Sequence, residues 1–146
     1  MKTLTATLLT LWLAFTATAG DLTWLTDLPA AQAQAKKEKK LVLMDFTGSD
    51  WCGWCIKLNK EVFNTPEFAA YAKDNLVLVE LDFPRNKPQS DALKKANAAL
   101  QTKHGADGFP TIVVLNNDGK EVWKQVGYMA GGSKAWIAKL DGAKKK

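Results

Sequence analysis

Apolar positions along this chain fall into short solid runs separated by polar, alanine- and lysine-rich stretches. Leu41-Val42-Leu43-Met44-Asp45-Phe46, Leu76-Val77-Leu78-Val79-Glu80-Leu81-Asp82 and Thr111-Ile112-Val113-Val114-Leu115 are dense in β-branched and leucine residues, the signature of strands buried on both faces. Helical stretches lie between them. Asp27-Leu28-Pro29 is a helix start, with Asp27 as cap and Pro29 in the first turn, and the run continues to Lys40. A second helix is expected to end near Phe63, and Thr65-Pro66 caps and opens a third, short one. Pro84 to Pro88 is a loop, Ser90 to Lys103 a helix, and Gly132-Ser133 opens a last helix through Leu140. Asn116-Asn117-Asp118-Gly119 is a hairpin turn, because asparagine and glycine tolerate positive φ, and Glu121 to Gly127 is its returning strand. Helix–strand alternation that closes with a hairpin predicts an α/β fold: a central mixed sheet ending in a β-hairpin, with helices on both faces.

The first residues stand apart from this pattern. Lys2, the apolar run Leu4 to Phe15 and the small residues Ala17-Thr18-Ala19 have the layout of a secretory signal. The run is too short and threonine-rich for a membrane span, which needs about 20 apolar residues. We therefore expect residues 1–19 to be removed, leaving 20–146 as one exported domain with a frayed end, with no stable membrane insertion. The size fits, since single cores commonly need about 100–150 residues. Net charge is +5, and +4 without Lys2, the only charge in the signal. The lysines are scattered and their clusters short, so this excess describes solvated helix ends rather than a nucleic-acid surface.

Both cysteines of the chain lie in one stretch, Gly48-Ser49-Asp50-Trp51-Cys52-Gly53-Trp54-Cys55-Ile56-Lys57. As a staple the pair is weak: closing a loop of about four residues contributes about 1.8 kcal/mol, against about 3 for fifteen. A structural zinc site needs four ligands, and His104 is the only histidine, with no third cysteine. Covalent haem requires histidine after the second cysteine, where Ile56 stands. Redox exchange fits best. At the first turn of a helix, residues i and i+3 share a face at bridgeable separation, and the helix end favours a thiolate on Cys52. Cys52 would then be the nucleophile and the deeper, more buried Cys55 the resolving thiol.

The segment Trp51-Cys52-Gly53-Trp54-Cys55-Ile56-Lys57 resembles the W-C-G-x-C-x-K segment of thioredoxins, and Gly108-Phe109-Pro110-Thr111 resembles their G-x-P-T segment. Lys103-His104-Gly105, Asn117-Asp118-Gly119-Lys120 and Gly127 fall where the family has similar residues, so the likeness spans about Leu41 to Leu140. Asp45 to Trp51 and Lys60-Glu61-Val62-Phe63 look most like exported bacterial members, including the thioredoxin-like end of an envelope electron transporter. The resemblance implies a thioredoxin fold, a cis Pro110 (an X-Pro bond is otherwise trans in all but about 5–6% of cases), and substrate contacts at Trp51, Gly53, Trp54, Phe109 and Pro110. It also implies a buried acid, Asp45, as proton acceptor at the second cysteine.

Three departures matter. Trp54 stands where thioredoxin has proline, a change that generally makes the pair less reducing. Asp45 lies seven residues before Cys52, one more than in thioredoxin, so a bulge or a longer loop must absorb the extra residue. Glu80 falls where thioredoxin has a lysine. If both acids are buried together, at least one should hold its proton more tightly, and otherwise one points to solvent. His104 is expected at the surface or a helix end, and Lys57 in solvent. The function expected is thiol–disulfide exchange with protein substrates in the cell envelope, most like a bacterial periplasmic reductase or relay, fed by an upstream thiol donor. No metal or organic cofactor and no nucleic acid is involved, and the protein is expected to be a monomer. An oxidase or isomerase with the same site, or a non-catalytic binding module, remain the alternatives.

Overall fold

In the computed structural model, residues 22–145 are described; the expected signal, residues 1–19, lies outside them. A five-stranded sheet runs in the order β1-β3-β2-β4-β5. Strand β2 (Leu41–Thr47) is central, parallel to β3 (Leu76–Asp82) on one side and antiparallel to β4 (Thr111–Leu115) on the other. Strand β5 (Glu121–Val126) returns along β4 after the predicted turn, and Asn116 Oδ1 there accepts from the N–H groups of Asp118 and Lys120. The two-residue strand β1 (Trp24–Leu25) adds to the outer side of β3. It was not anticipated, because two residues carry no period to read.

All seven residues of β2 are buried, which is why its run is apolar throughout rather than alternating. Its side chains divide between two cores. Leu41 and Leu43 join Leu58, Phe63, Trp136 and Leu140 on one face, and Val42, Met44 and Phe46 join Leu28, Ala31 and Ala35 on the other. Helices α1 (Leu28–Glu38) and α4 (Asp91–His104) carry one face, while α2 (Gly53–Leu58), α3 (Pro66–Asn75) and α5 (Gly132–Ala143) cover the other. Helices start where cap residues stand. Asp27 accepts from Ala30 N–H at 2.9 Å, Thr65 from Phe68 N–H at 3.3 Å and Ser90 from Leu93 N–H at 3.2 Å.

The helix expected to reach Phe63 does so in two conformations: α2 passes into one π-helical turn, Asn59–Phe63, closed by Asn64 N–H on Asn59 O at 2.8 Å. Single π turns are recurrent near functional sites. Here the wider turn seats Val62 and Phe63 in the core while Asn59 and Lys60 border a cavity beneath α2. At the other end of the molecule, α4 stops on Gly105 at φ 55°, a left-handed value that glycine adopts without strain. Lys124 Nζ donates to the carbonyls of His104 and Gly105 at 2.7 and 2.8 Å, so β5 holds the start of the loop that leads to Pro110.

Candidate active site

The chain turns from β2 into α2 over Gly48 to Trp51, with Cys52 N–H bonded to Gly48 O at 2.8 Å. This turn, and not a bulge in β2, takes up the extra residue between Asp45 and Cys52. Cys52 is extended (φ −84°, ψ 101°) and caps α2, its Sγ accepting from Cys55 N–H at 3.2 Å. The two cysteines form a disulfide with their Cα atoms 5.2 Å apart. They are almost equally covered, at 7% and 5% exposure, so the expected contrast in burial is nearly absent. Position distinguishes them: Cys52 is at the helix tip, while Cys55 is one turn in and borders the cavity beneath α2.

Hydrogen bonds tie the turn to the end of β3 and the loop after it. Asp82 accepts from Ser49 N–H at 2.9 Å and Ser49 Oγ at 2.6 Å. Asp50 accepts from the N–H groups of Arg85 and Asn86 at 3.0 and 2.6 Å. Trp51 Nε1 donates to Phe83 O at 2.8 Å, and the Arg85 guanidinium lies 3.7 Å from the centre of a Trp51 ring. That indole also packs over buried Gly48, where a Cβ would come within 2.5 Å of it. Gly48→Ala is therefore expected to push the ring aside and to destabilise the protein by about 1–3 kcal/mol, the usual range for overpacking. Urea unfolding checks the energy, and tryptophan emission shifted to the red checks the displacement.

The loop that carries Pro110 meets this turn through Phe109. The Phe109–Pro110 bond is cis. Gly127 N–H donates to Pro110 O at 2.8 Å, and Thr111 Oγ1 to Gly108 O at 2.7 Å. Phe109 lies edge-on to Trp51 at 5.8 Å and against Phe83 at 5.1 Å. Trp54 is 58% exposed and stacks on Tyr128 at 5.5 Å. Lys57 Nζ lies 5.3 and 4.9 Å from the ring centres of Trp54 and Tyr128, and Tyr128 donates to Glu61. Gly53 is exposed, and a Cβ there would meet nothing within the protein.

Beneath α2 the sheet presents acids. Alternation along the strands puts Asp45 and Thr47 of β2 on the α2 face, and the parallel register sets them beside Glu80 and Asp82 of β3. Asp45 is buried, and its Oδ1 makes no hydrogen bond among the described residues. Burial, reinforced by the charges of Glu80 and Asp82, raises its carboxyl to about 8. Half-buried Glu80 is also raised, by burial first and by Asp82 second, while Lys87 pulls it down. Both acids thus face one side, and both hold protons more tightly than usual.

A thioredoxin-like domain model matches residues 28–141. The chain belongs to the thioredoxin-like domain family. The chain is 33% identical over 127 residues to the disulfide bond reductase DsbH of Chlamydia pneumoniae, covering 87% of this chain and 75% of that one. A solved structure of the DsbH oxidoreductase superimposes with a TM-score of 0.83 at 30% identity, covering 95% of each chain. The thiol:disulfide interchange protein DsbD of Vibrio cholerae is 33% identical over 123 residues, where the match spans 79% of this chain and 19% of the longer relative. This thioredoxin-like protein is a thiol–disulfide oxidoreductase, and its sheet and helices are those of the thioredoxin fold.

Of the residues singled out from the sequence, the thioredoxin-like fold gathers Cys52, Cys55, Trp51, Gly53, Trp54, Phe109 and Pro110 around one surface, with Asp45 and Glu80 below. His104 is at a helix end, but not at the surface: its side chain is 9% exposed, packed toward Phe46 at 6.3 Å, with Nδ1 3.2 Å from Glu121. Lys57 is exposed, as expected, and its Nζ also lies over two rings. Sequence reasoning missed Ser49, Asp50, Asp82, Phe83 and Arg85, which fasten the turn, and Tyr128, which receives Trp54. Only Ser49 and Asp50 lay in the stretch that drew attention; their partners are more than thirty positions away.

Proposed function

We propose that this protein reduces disulfides of exported proteins, with Cys52 as nucleophile and Cys55 as resolving thiol. The observation that carries this reading is the position of Cys52 Sγ at the cap of α2, joined to Cys55, in a turn whose Trp51 packs against Phe109. A Cys52 thiolate attacks a substrate disulfide and expels one substrate sulfur. Cys55 then displaces the other, reforming the Cys52–Cys55 bond, and an upstream dithiol restores the pair. Asp45, when ionised, accepts the Cys55 proton during resolution. Trp54 and Phe109 supply apolar contact, and the open side of Gly53 leaves room for a substrate backbone. The exchange runs through the sulfurs alone.

The charges support that direction. Stabilising a thiolate favours the reduced pair and makes it oxidising, as the low-pKa members of this chemistry illustrate. Here Asp45, Glu80 and Asp82 lie on the α2 face of the sheet, where whatever negative charge they carry disfavours a thiolate. The similarity to a disulfide bond reductase agrees with that. The layout of residues 1–19 supports export to the periplasm, where protein disulfides are available. Equilibration with glutathione should give a potential at or below about −230 mV, more reducing than protein disulfide isomerase at about −180 mV. A value near −120 mV, that of a strong oxidant, would overturn the assignment.

A further inference from the structure

The cavity beneath α2 has a volume of about 240 Å³, enough for several waters at roughly 30 Å³ each. Thr47, Ser49, Cys55, Asn59, Lys60 and Glu80 line it. The acid that shares this space with Cys55 is Glu80. Asp45, its neighbour in register, is not among the lining residues and is 6% exposed. Glu80 borders a second cavity as well, of about 320 Å³, among Thr26, Asp82, Lys87 and Asn97 at the free end of β3. Among the described residues that end is open, because β1 pairs only with Leu78 and Val79 and Glu80 has no strand on its outer side. One carboxylate therefore touches the space at Cys55, the buried acid beside it, and a second opening.

We infer that Glu80 is the outlet through which the proton released at Cys55 reaches water, by way of the cavity that the two residues share. This inference rests on the exchange reaction proposed above. In the resolving step the Cys55 S–H bond breaks. Its proton passes to the Asp45–Glu80 pair and from Glu80 to water, while the Cys55 sulfur displaces the substrate sulfur from Cys52. The Cys52–Cys55 bond forms, the cysteine pair gives up two electrons, and the substrate leaves as a thiolate that takes a proton from water. When an upstream dithiol reduces the pair, the same route runs backward and delivers a proton to Cys55. The charged groups around Glu80 are Asp45 on β2, Asp82 on β3, Lys60 on the π turn and Lys87 on the following loop. Burial and Asp82 retain its proton and Lys87 favours its release, which suits a group that must do both.

The test separates two steps in the full mature chain. Glu80→Gln keeps the shape and removes the titrating group. Resolution is followed by stopped-flow release of a fluorescent thiol from a mixed disulfide on Cys52, between pH 5.5 and 9. Attack is followed in a Cys55→Ser background as mixed-disulfide formation with the same probe. Glu80→Gln is expected to slow resolution about tenfold at pH 7, the lower part of the range for general acid–base assistance being about a hundredfold, and to flatten its pH dependence. Attack should stay within twofold, and Glu80→Asp should recover part of both the rate and the pH dependence. Resolution within twofold of the parent across the whole range would overturn the inference, as would equal slowing of attack and resolution. Should Glu80→Gln not fold, Glu80→Ala takes its place: slowed resolution with normal attack supports the outlet, and an unchanged rate refutes it. Absence of any mixed disulfide in the Cys55→Ser chain would instead remove the exchange reaction itself.

Discussion

Cys52→Ser is expected to bring disulfide reduction down to the uncatalysed background. A serine hydroxyl is not ionised at neutral pH and cannot form a disulfide, so neither the attack nor the closed Cys52–Cys55 state survives. The fold should be little affected, because a bridge over so short a loop contributes only about 2 kcal/mol in the chain-entropy estimate. Cys55→Ser differs in kind. Attack by Cys52 remains, but nothing displaces the substrate, so mixed disulfides accumulate and appear on non-reducing gels as bands that dithiothreitol removes. Turnover of a fluorescent disulfide measures the first effect. If Cys52→Ser retains appreciable turnover, or if Cys55→Ser traps nothing from an exported-protein mixture, the assigned roles are wrong.

The second large effect concerns stability. With the cysteines joined, the Asp45 carboxyl stands at about 8 in the folded protein against 3.8 for an unperturbed group. Between those two values the native state holds a proton that the unfolded chain has released. Stability therefore falls as pH rises across that window, by up to about 1.4 kcal/mol per unit, and this group adds no slope below or above it. Raised Glu80 acts in the same sense. Asp45→Asn removes the Asp45 part of the slope. Over the whole window that is roughly 5 kcal/mol, less about 1–3 for an incompletely bonded buried amide. The variant should thus be more stable at pH 8 by about 2–4 kcal/mol on these figures, while resolution by Cys55 slows. Urea unfolding at pH 5 and pH 8 reads the difference. Equal stability of the parent at both values, with no gain from Asp45→Asn, would show that Asp45 is not an ionisable group held in the core. A site that gains stability when its acid is removed is one that retains the acid for chemistry.

Much of the fold was legible because its signals are local. The solid runs Leu41 to Phe46 and Thr111 to Leu115 suit doubly covered strands, and Asp27, Thr65 and Ser90 mark helix starts through bonds that reach three residues ahead. Trp24-Leu25 gave no such signal, and its pairing with Leu78 and Val79 is made over fifty positions away. The change from α to π geometry at Asn59 was equally hidden, since it depends on how Val62 and Phe63 seat in a core built by α3 and α5. Likewise His104, expected at the surface or a helix end, does end α4, but its cover by Phe46 and Glu121, from two strands, could not be read locally.

What the sequence by itself determined is the reacting pair and its chemistry. Two cysteines three positions apart, at a strand-to-helix turn, with His104 the only histidine and no third cysteine, leave thiol exchange as their best use. What only the tertiary structure decided is the environment that governs that exchange: which acids lie under Cys55, which of them reaches a cavity, and how the turn is held. Those properties come from burial and from the register between strands. A shift of β3 by one residue would turn Glu80 and Asp82 to the opposite face without altering a single local preference. Electrostatic influence in a core depends on distance through space and on the removal of water, and neither quantity is written in the order of residues along the chain.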